Sequence, residues 1–431
     1  MKWVEKKQSG EDWYNSQAMK KYHIWTEGCQ MNVSDSQRIG AALEHLGFFS
    51  TSQPEEADVI VLNTCVVRQS AEDKAYGRLS SLKPLKMRNP GLVINLMGCL
   101  VGVRQDERLR QRFPFVDVFS PPSDPGPLVA HLTQGEAKDQ ADNRTNEIYM
   151  VLDEEHLLPE TERGRLVSAH LPVVLGCSHA CTFCIIPSRR GAEQSRPAEV
   201  ILSDARHLAA MGVKEITLLG QIVDRYGKDL PSGPNLPGLL RQLHEVEGLE
   251  RIRFLTSHPS YFSEELMHAV ADLPRVMPHI EIPVQAGADG VLNNMRRGYT
   301  QADYRRIVDQ IRKHIPGSSI ATDIIVGFPG ESEAEFMETH QLLEDLRLDF
   351  AHLARYSPRP GTVSARNMID DVSEEEKMHR FRLLEELQEK IVGELNASLL
   401  GQKVEVLFEE KVKGRWRGRT PITGPRASGR C

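Results

Sequence analysis

The 431-residue sequence has no apolar run of the roughly 18 residues that a membrane-crossing helix needs, which argues against a helical membrane protein and against a membrane partner. Its first residues, MKWVEKKQSGEDWYNSQ, are charged and lack the hydrophobic centre of a secretion signal, so the reading is a soluble globular chain with a cytoplasmic home. A disulfide framework is also missing. Seven cysteines in a chain of this size, kept in a reducing compartment, more often bind metal or do chemistry than cross-link. The formal net charge of −7 excludes a uniformly basic nucleic-acid coat, although it says nothing about local patches. No internal repeat or low-complexity tract stands out. The length exceeds one ordinary hydrophobic core and predicts two or three domains.

Six of the seven cysteines form two triads. Cys177, Cys181 and Cys184 stand in the compact pattern CxxxCxxC, and Cys29, Cys65 and Cys99 are spread through the first third of the chain. Three thiolates fill only part of a metal site. Zinc normally takes a fourth protein ligand, whereas a cubane iron–sulfur cluster on three cysteines keeps one iron open. Gaps of three and two residues let a single loop present its sulfurs convergently. A zinc knuckle completed by His179 or a distant residue is the competing reading, with His179 otherwise expected to face solvent. Cys431 reads as an exposed thiol on a frayed tail.

The first third alternates short apolar runs (KYHIWTEGC, ADVIVLNTC, LVINLMGC, VDVFS) with helical patterns, including SDSQRIGAALEHLG, a long polar helix over about 70–88 and another near 104–113. This order predicts a parallel sheet with crossover helices. Each N-terminal cysteine then falls at the C-terminal end of a strand, the edge where ligands gather in open α/β sheets. Isolated cysteines at strand ends are also often small buried hydrophobes, so the residues alone leave the role of this triad open. PPSDPGP at 121–127 and the polar stretch 134–146 have loop chemistry and mark a boundary.

A second alternation follows. The candidate strands are LPVVLG, EITLLGQ, RIRFLTS, HIEIPVQ, TDIIVGF and FAHLARYS, with helices over about 197–211, 236–246, 263–271, 301–314 and 332–346. Six strand and helix units predict an incomplete β/α barrel whose active face is built from the loops after the strands. The CxxxCxxC lies directly after the first of them. Gln221, Ser257, Gln285, Asp323 and Tyr356 fall at or near later strand ends and are expected at the same mouth. A charged helix over about 373–399 precedes KVEVLF, whose alternation starts a small β module. From Lys411 to Arg430 the chain is basic and free of acids, with Trp416 set among arginines, a composition suited to phosphate contact and base stacking.

GCSHACTFCIIP, on a loop that opens a β/α barrel, resembles the radical SAM superfamily. A finer resemblance, to the methylthiotransferases within it, covers nearly the whole chain. It rests on GCQMN, NTCVVR, MGC, RRGAEQSRP, LLGQIVDRYG, IPVQAGADGVLNNMRRGYT, TDIIVGFPGE and YSPRPGT. NTCVVR with Arg68, RRGYT and YSPRPGT look most like the branch that acts on N6-isopentenyladenosine beside the tRNA anticodon. Relatives that act on threonylcarbamoyladenosine, and a non-catalytic iron–sulfur electron-transfer protein, are the alternatives.

The resemblance implies an N-terminal parallel-sheet α/β domain (20–150), a central incomplete (β/α)6 radical SAM barrel (163–400) and a truncated all-β TRAM-like module (401–431). It implies two 4Fe-4S clusters, an auxiliary one on Cys29, Cys65 and Cys99 and a radical SAM one on Cys177, Cys181 and Cys184. It further implies two roles for S-adenosylmethionine, as methyl donor to sulfur on the auxiliary cluster and as the source of the radical that takes hydrogen from carbon 2 of the adenine. Gln221, Gln285, Arg297 and Asp323 lie in segments expected around that cofactor, with Arg297 suited to a carboxylate. The implied partners are tRNA, a low-potential electron donor such as flavodoxin or ferredoxin, and a sulfur source. Two departures stand out. Ile222 occupies a position where many relatives have Asn, and PITGPRASGRC lacks the pattern for further strands, so the C-terminal barrel is incomplete, with unpaired edges, little core and lowered tRNA affinity expected.

Overall fold

A computed structural model describes residues 19–67, 69–104, 107–133 and 158–424. Arg68, the stretch 134–146 and Cys431 lie outside them. The N-terminal unit is a five-stranded parallel sheet of β1 (Lys21–Thr26), β2 (Phe49–Ser50), β3 (Val59–Thr64), β4 (Val93–Gly98) and β5 (Val118–Ser120), in the order β2-β1-β3-β4-β5. The two-residue β2 has no counterpart in the sequence reading. Helices α1 (Gln30–His45), α2 (Gln69–Arg88), α3 (Glu107–Arg112) and α4 (Gly126–Thr133) follow strands or the short loops after them. Alternation along β3 explains why both faces are covered. Ile60 and Leu62 pack with Leu79 and Leu82 of α2, while Val59 and Val61 pack with Ile39 and Leu43 of α1. PPSDPGP leads directly into α4, whose Leu128 and Val129 are buried, so this proline-rich run is a turn inside the unit.

The second unit contains the six expected strands. They are β6 (Ser168–Pro172), continued after Val173 by the short β7 (Val174–Leu175), then β9 (Glu215–Leu219), β10 (Arg251–Leu255), β11 (His279–Glu281), β12 (Ser319–Val326) and β13 (Phe350–Arg355). The parallel orders β10-β9-β6 and β11-β12-β13 join where the Ser257 N–H donates to the Glu281 carbonyl at 2.9 Å. The result is an open, six-stranded partial barrel. An unforeseen feature is β8 (Gln194–Ser195), which pairs antiparallel with β7 and closes the cysteine loop at its base.

Around the barrel run α5 (Ile186–Arg190), α6 (Ala198–Ala210), α7 (Leu236–His244), α8 (Glu264–Asp272), α9 (Asp289–Asn294), α10 (Gln301–His314), α11 (Glu333–Leu346), α12 (Val363–Asn367) and α13 (Glu374–Ser398). Ser263, Thr300, Ser332 and Ser373 each accept from a backbone N–H in the first turn of their helix, which is why these boundaries were readable in sequence. The long α13 packs along edge strand β13 and α11, and Gln388 donates to the Leu348 carbonyl at 3.0 Å. No helix among the described residues is long and apolar enough to cross a membrane.

The C-terminal module differs from expectation in register. Pairing begins at β14 (Leu407–Val412), after most of KVEVLF, and runs antiparallel to β15 (Arg415–Arg419). Nor does the whole basic tail face solvent. Arg419 and residues 420–422 dock under the barrel at the N-terminal ends of its strands. Arg419 Nη2 lies 3.1 Å from Glu215 Oε1, and Arg253 Nε lies 2.9 Å from Glu215 Oε2. Arg253 donates to the carbonyls of Pro421 and Thr420 at 3.0 and 2.9 Å, and Arg251 to that of Arg419 at 2.8 Å. Trp416, in contrast, is exposed and stands beside Phe408.

Candidate active site

The dispersed triad is assembled by short loops at the C-terminal edge of the first sheet. Cys29 is the residue before α1, Cys65 follows β3 and Cys99 follows β4. Asn32 donates to Asn63 Oδ1 at 2.8 Å and to the Thr64 carbonyl at 3.0 Å, while Asn63 donates back to the Asn32 carbonyl at 2.8 Å. This buried amide pair pins the Cys29 loop to the Cys65 strand end. Two glycines make the close approach feasible. A side chain at Gly28 (φ +146°) would meet Cys65 Cβ at 2.8 Å, and one at Gly98 (φ +96°) would meet the Thr64 carbonyl at 2.5 Å.

The compact triad lies on the loop between β7 and α5. The Cys177 N–H donates to the Gly191 carbonyl at 3.1 Å, and Thr182 anchors the loop to α9 through its N–H on the Met295 carbonyl and its hydroxyl on the Asn294 carbonyl. Arg297, buried, donates to Cys181 Sγ at 3.1 Å, to the Tyr299 hydroxyl at 2.9 Å and to the Pro283 carbonyl at 3.3 Å. The guanidinium therefore braces a cysteine sulfur from below.

Both triads open onto one cavity of about 320 Å³, within the size range of small-molecule sites. Its lining includes all six cysteines together with Gln221, Ser257, Gln285, Arg297 and Asp323, so these residues, distant in sequence, share one mouth. Tyr356 does not join them. It is buried against Phe328, with its hydroxyl on Ser364, because its strand end turns into the packing under α12. His179 also departs from expectation. It is half-buried on the cavity wall, with Nδ1 3.4 Å from Cys181 Sγ and its ring 4.6 Å from that of His258.

The sequence reading missed several residues at this mouth. Glu281, Thr256 and His258 line it, and so do Arg190, Met31, Leu219, Ile222 and Leu255. Burial, followed by repulsion from Asp323, pushes the Glu281 carboxyl up to about 7, and burial drives the His258 imidazole down to about 2. The sequence signals were strand-end position, the RRG after the compact triad for Arg190, GCQMN for Met31 and LLGQIVDRYG for Leu219 and Ile222.

All six cysteines are free thiols, a donor set suited to soft metal centres. Burial pushes Cys65 and Cys184 up to about 12 and raises Cys99 and Cys177, so without a cation these thiols keep their protons and metal loading releases them. Among the described residues, no three His, Cys, Asp or Glu side chains converge as ligands of a single ion. A cubane instead spreads its cysteines over separate irons, and three thiols in each triad beside one cavity are the donor set it takes.

Residues 171–343 match the radical SAM superfamily, and residues 21–120 match a group described as uncharacterized protein family UPF0004. The chain is 48% identical over 406 residues to the tRNA-2-methylthio-N(6)-dimethylallyladenosine synthase of Roseiflexus sp. (strain RS-1), covering 93% of this chain and 82% of the relative. It is 46% identical to the enzyme of that name from Herpetosiphon aurantiacus, covering 93% and 89%. Among solved structures, the radical S-adenosylmethionine methyltransferase TsrM from Kitasatospora setae superposes with a TM-score of 0.58 at 12% identity, over 81% of this chain and 77% of that one, a likeness of fold. With two cysteine triads facing one cavity and this identity along nearly its full length, the chain belongs to the tRNA-2-methylthio-N(6)-dimethylallyladenosine synthase family of radical SAM enzymes.

Proposed function

We propose that Cys177, Cys181 and Cys184 hold the radical SAM cluster, that Cys29, Cys65 and Cys99 hold the auxiliary cluster, and that both serve one reaction in the cavity between them. The protein is a tRNA methylthiotransferase that places a methylthio group on carbon 2 of N6-isopentenyladenosine, using S-adenosylmethionine and two 4Fe-4S clusters. The observation that carries the residue assignment is the single cavity lined by both triads. When bound, these groups supply one-electron cleavage of the sulfonium and the sulfur to be inserted.

The chain's own residues orient and enclose. Gln221, Gln285 and Asp323, which line the cavity with the compact triad, would hold S-adenosylmethionine, while Arg297 holds Cys181 in place and would supply a positive charge suited to a carboxylate. Met31, Leu219 and Leu255 form an apolar wall that excludes water and suits an isoprenyl chain better than a threonylcarbamoyl group. Residues 20–150, 163–400 and 401–431 are the auxiliary-cluster domain, the radical SAM domain and a partial TRAM-like segment. A flavodoxin- or ferredoxin-type donor, a separate sulfur source and a cytoplasmic location complete the proposal, supported by the chemistry's need for electrons and sulfur and by a tRNA substrate.

Two triple variants test the residue roles. In reconstituted protein, alanine at Cys177, Cys181 and Cys184 is expected to remove about half the iron and abolish 5'-deoxyadenosine release. Alanine at Cys29, Cys65 and Cys99 should remove the other half and spare that release, while abolishing the 2-methylthio nucleoside seen by mass spectrometry of tRNA digests. Loss of all the iron, or of none, in either variant contradicts the two-site assignment.

A further inference from the structure

The dispersed triad is not built by the N-terminal unit alone. Arg190, the last residue of α5 and six residues after Cys184, crosses the cavity and donates through Nε to Cys99 Sγ at 3.3 Å. It is almost wholly buried, and no surface role accounts for its charge. Its Nη2 lies 3.6 Å from Asp35 Oδ2 in α1, and its Nη1 donates to the Ser123 hydroxyl at 3.4 Å. Ser123 in turn donates to Asp35 Oδ1 at 2.7 Å. The guanidinium is thus held between a sulfur on one side and a carboxylate on the other. Arg189 extends the same crossing, since its carbonyl accepts from the Val103 N–H at 3.0 Å.

We propose that Arg190, supplied by the radical SAM unit, is a positioning residue that sets the reduction potential of the auxiliary cluster on Cys29, Cys65 and Cys99, with Asp35 as its opposing counter-charge. The inference rests on the assignment of that triad as a cluster site.

The physical argument is electrostatic. Each electron added to a thiolate-ligated cluster adds negative charge to a buried site. An N–H donor on a ligand sulfur, backed by a cation, stabilises the reduced form and raises the potential. Arg190 presents that donor to sulfur more closely than it presents Nη2 to Asp35. The pair therefore acts as an oriented dipole with its positive end at Cys99, even where Asp35 cancels the net charge. Because the donor comes from the segment that carries the compact triad, the potential of one centre depends on the docking of the domain that holds the other.

The experiment uses the full-length chain with Cys177, Cys181 and Cys184 changed to alanine, reconstituted so that only the dispersed triad is loaded, and reads the potential by redox titration with electron paramagnetic resonance. Arg190→Met should lower the potential enough to change the reduced-to-oxidised ratio at least tenfold at a fixed poise, about 59 mV for a one-electron couple. Arg190→Lys, which keeps charge and loses the directed donor, should fall between. Asp35→Asn should move the potential the opposite way, upward. A purely structural role would not give opposite signs for the two partners. Unchanged potentials, shifts of one sign in all variants, or loss of the cluster from both Arg190 variants would overturn the proposal. Failure of the parent protein to bind any iron would instead overturn the cluster assignment.

Discussion

The two ends of the barrel both bury arginines, and they use them differently. At the floor, Arg253, Arg251 and Arg419 are saturated by protein: Glu215 takes two of them, Glu405 takes Arg251, and backbone carbonyls at 419–421 accept the rest. At the mouth, Arg190 and Arg297 spend a donor each on a cysteine sulfur, a weak acceptor when protonated and a strong one as a metal-bound thiolate. The floor is a finished structure. At the mouth, Asp35 offsets the buried charge of Arg190, while Arg297 is met by a sulfur, a hydroxyl and a carbonyl.

Glu215→Gln should break that contrast most. It leaves Arg253 and Arg419 facing each other in a buried floor, and a loss of about 3–5 kcal/mol is expected in denaturant unfolding. The comparison fails if the variant unfolds like the parent. Removing residues 420–431 comes next. Arg253 loses two carbonyl acceptors, an expected cost of about 2–3 kcal/mol. Truncation from 402 would also remove Arg419 and Glu405, so a fall in tRNA affinity there would confound binding with a damaged floor.

Acid should also act at the floor. Burial, reinforced by neighbouring arginines, holds His170 at about 4 and His279 at about 3. The unfolded imidazoles protonate below about 6.5, so unfolding takes up protons, and stability falls as pH drops from about 6.5 toward 4. The expected slope is on the order of 1 kcal/mol per group per pH unit, read from melting temperature across that window. His170→Gln should flatten part of it. The smallest effect on stability belongs to Trp416→Ala, expected within about 0.5 kcal/mol because the ring is exposed. Loss of a stacking contact there should weaken tRNA binding by about 1–3 kcal/mol, and unchanged affinity would show that the hairpin tip does not touch RNA.

Much of the fold was legible because its elements carry local signals. β3 reads as a continuous apolar run with both faces covered, α10 and α11 announce their starts through Thr300 and Ser332, and each cysteine of the dispersed triad stands at or shortly after a strand end. The C-terminal module was harder. KVEVLF alternates correctly, yet pairing starts at Leu407, since a hairpin's register is set by its partner strand and turn as well as by its own pattern. The basic tail read as one phosphate-binding surface. In space it divides between exposed Trp416 and buried Arg419, because Glu215, some two hundred residues earlier, supplies the charge that draws Arg419 inward.

The same limit applied to the site. Tyr356 matched the mouth by position but packs inward, and His179 looked solvent-facing until His258 came to lie against it. Arg190 and Arg359 fall in the motifs RRGAEQSRP and YSPRPGT, but nothing local says what they touch. Arg359 in fact donates to the Val66 carbonyl, next to Cys65, at 3.0 Å and to Gln69 at 2.6 Å, so the barrel steadies a second cysteine-bearing loop of the other unit.

The sequence by itself determined where the two cysteine triads stand and their local settings. Cysteine spacing, the glycines before Cys29 and Cys99, and the alternation of strands and helices are all properties of short segments, where backbone sterics and hydrophobic periodicity act. Only the tertiary structure decided that two triads share one cavity, that Arg190 reaches across to Cys99, and that the tail locks the floor. These depend on which charges and sulfurs end up a few ångströms apart after two units dock. Coulomb and hydrogen-bond energies follow distance in space, and separation along the chain carries no record of it.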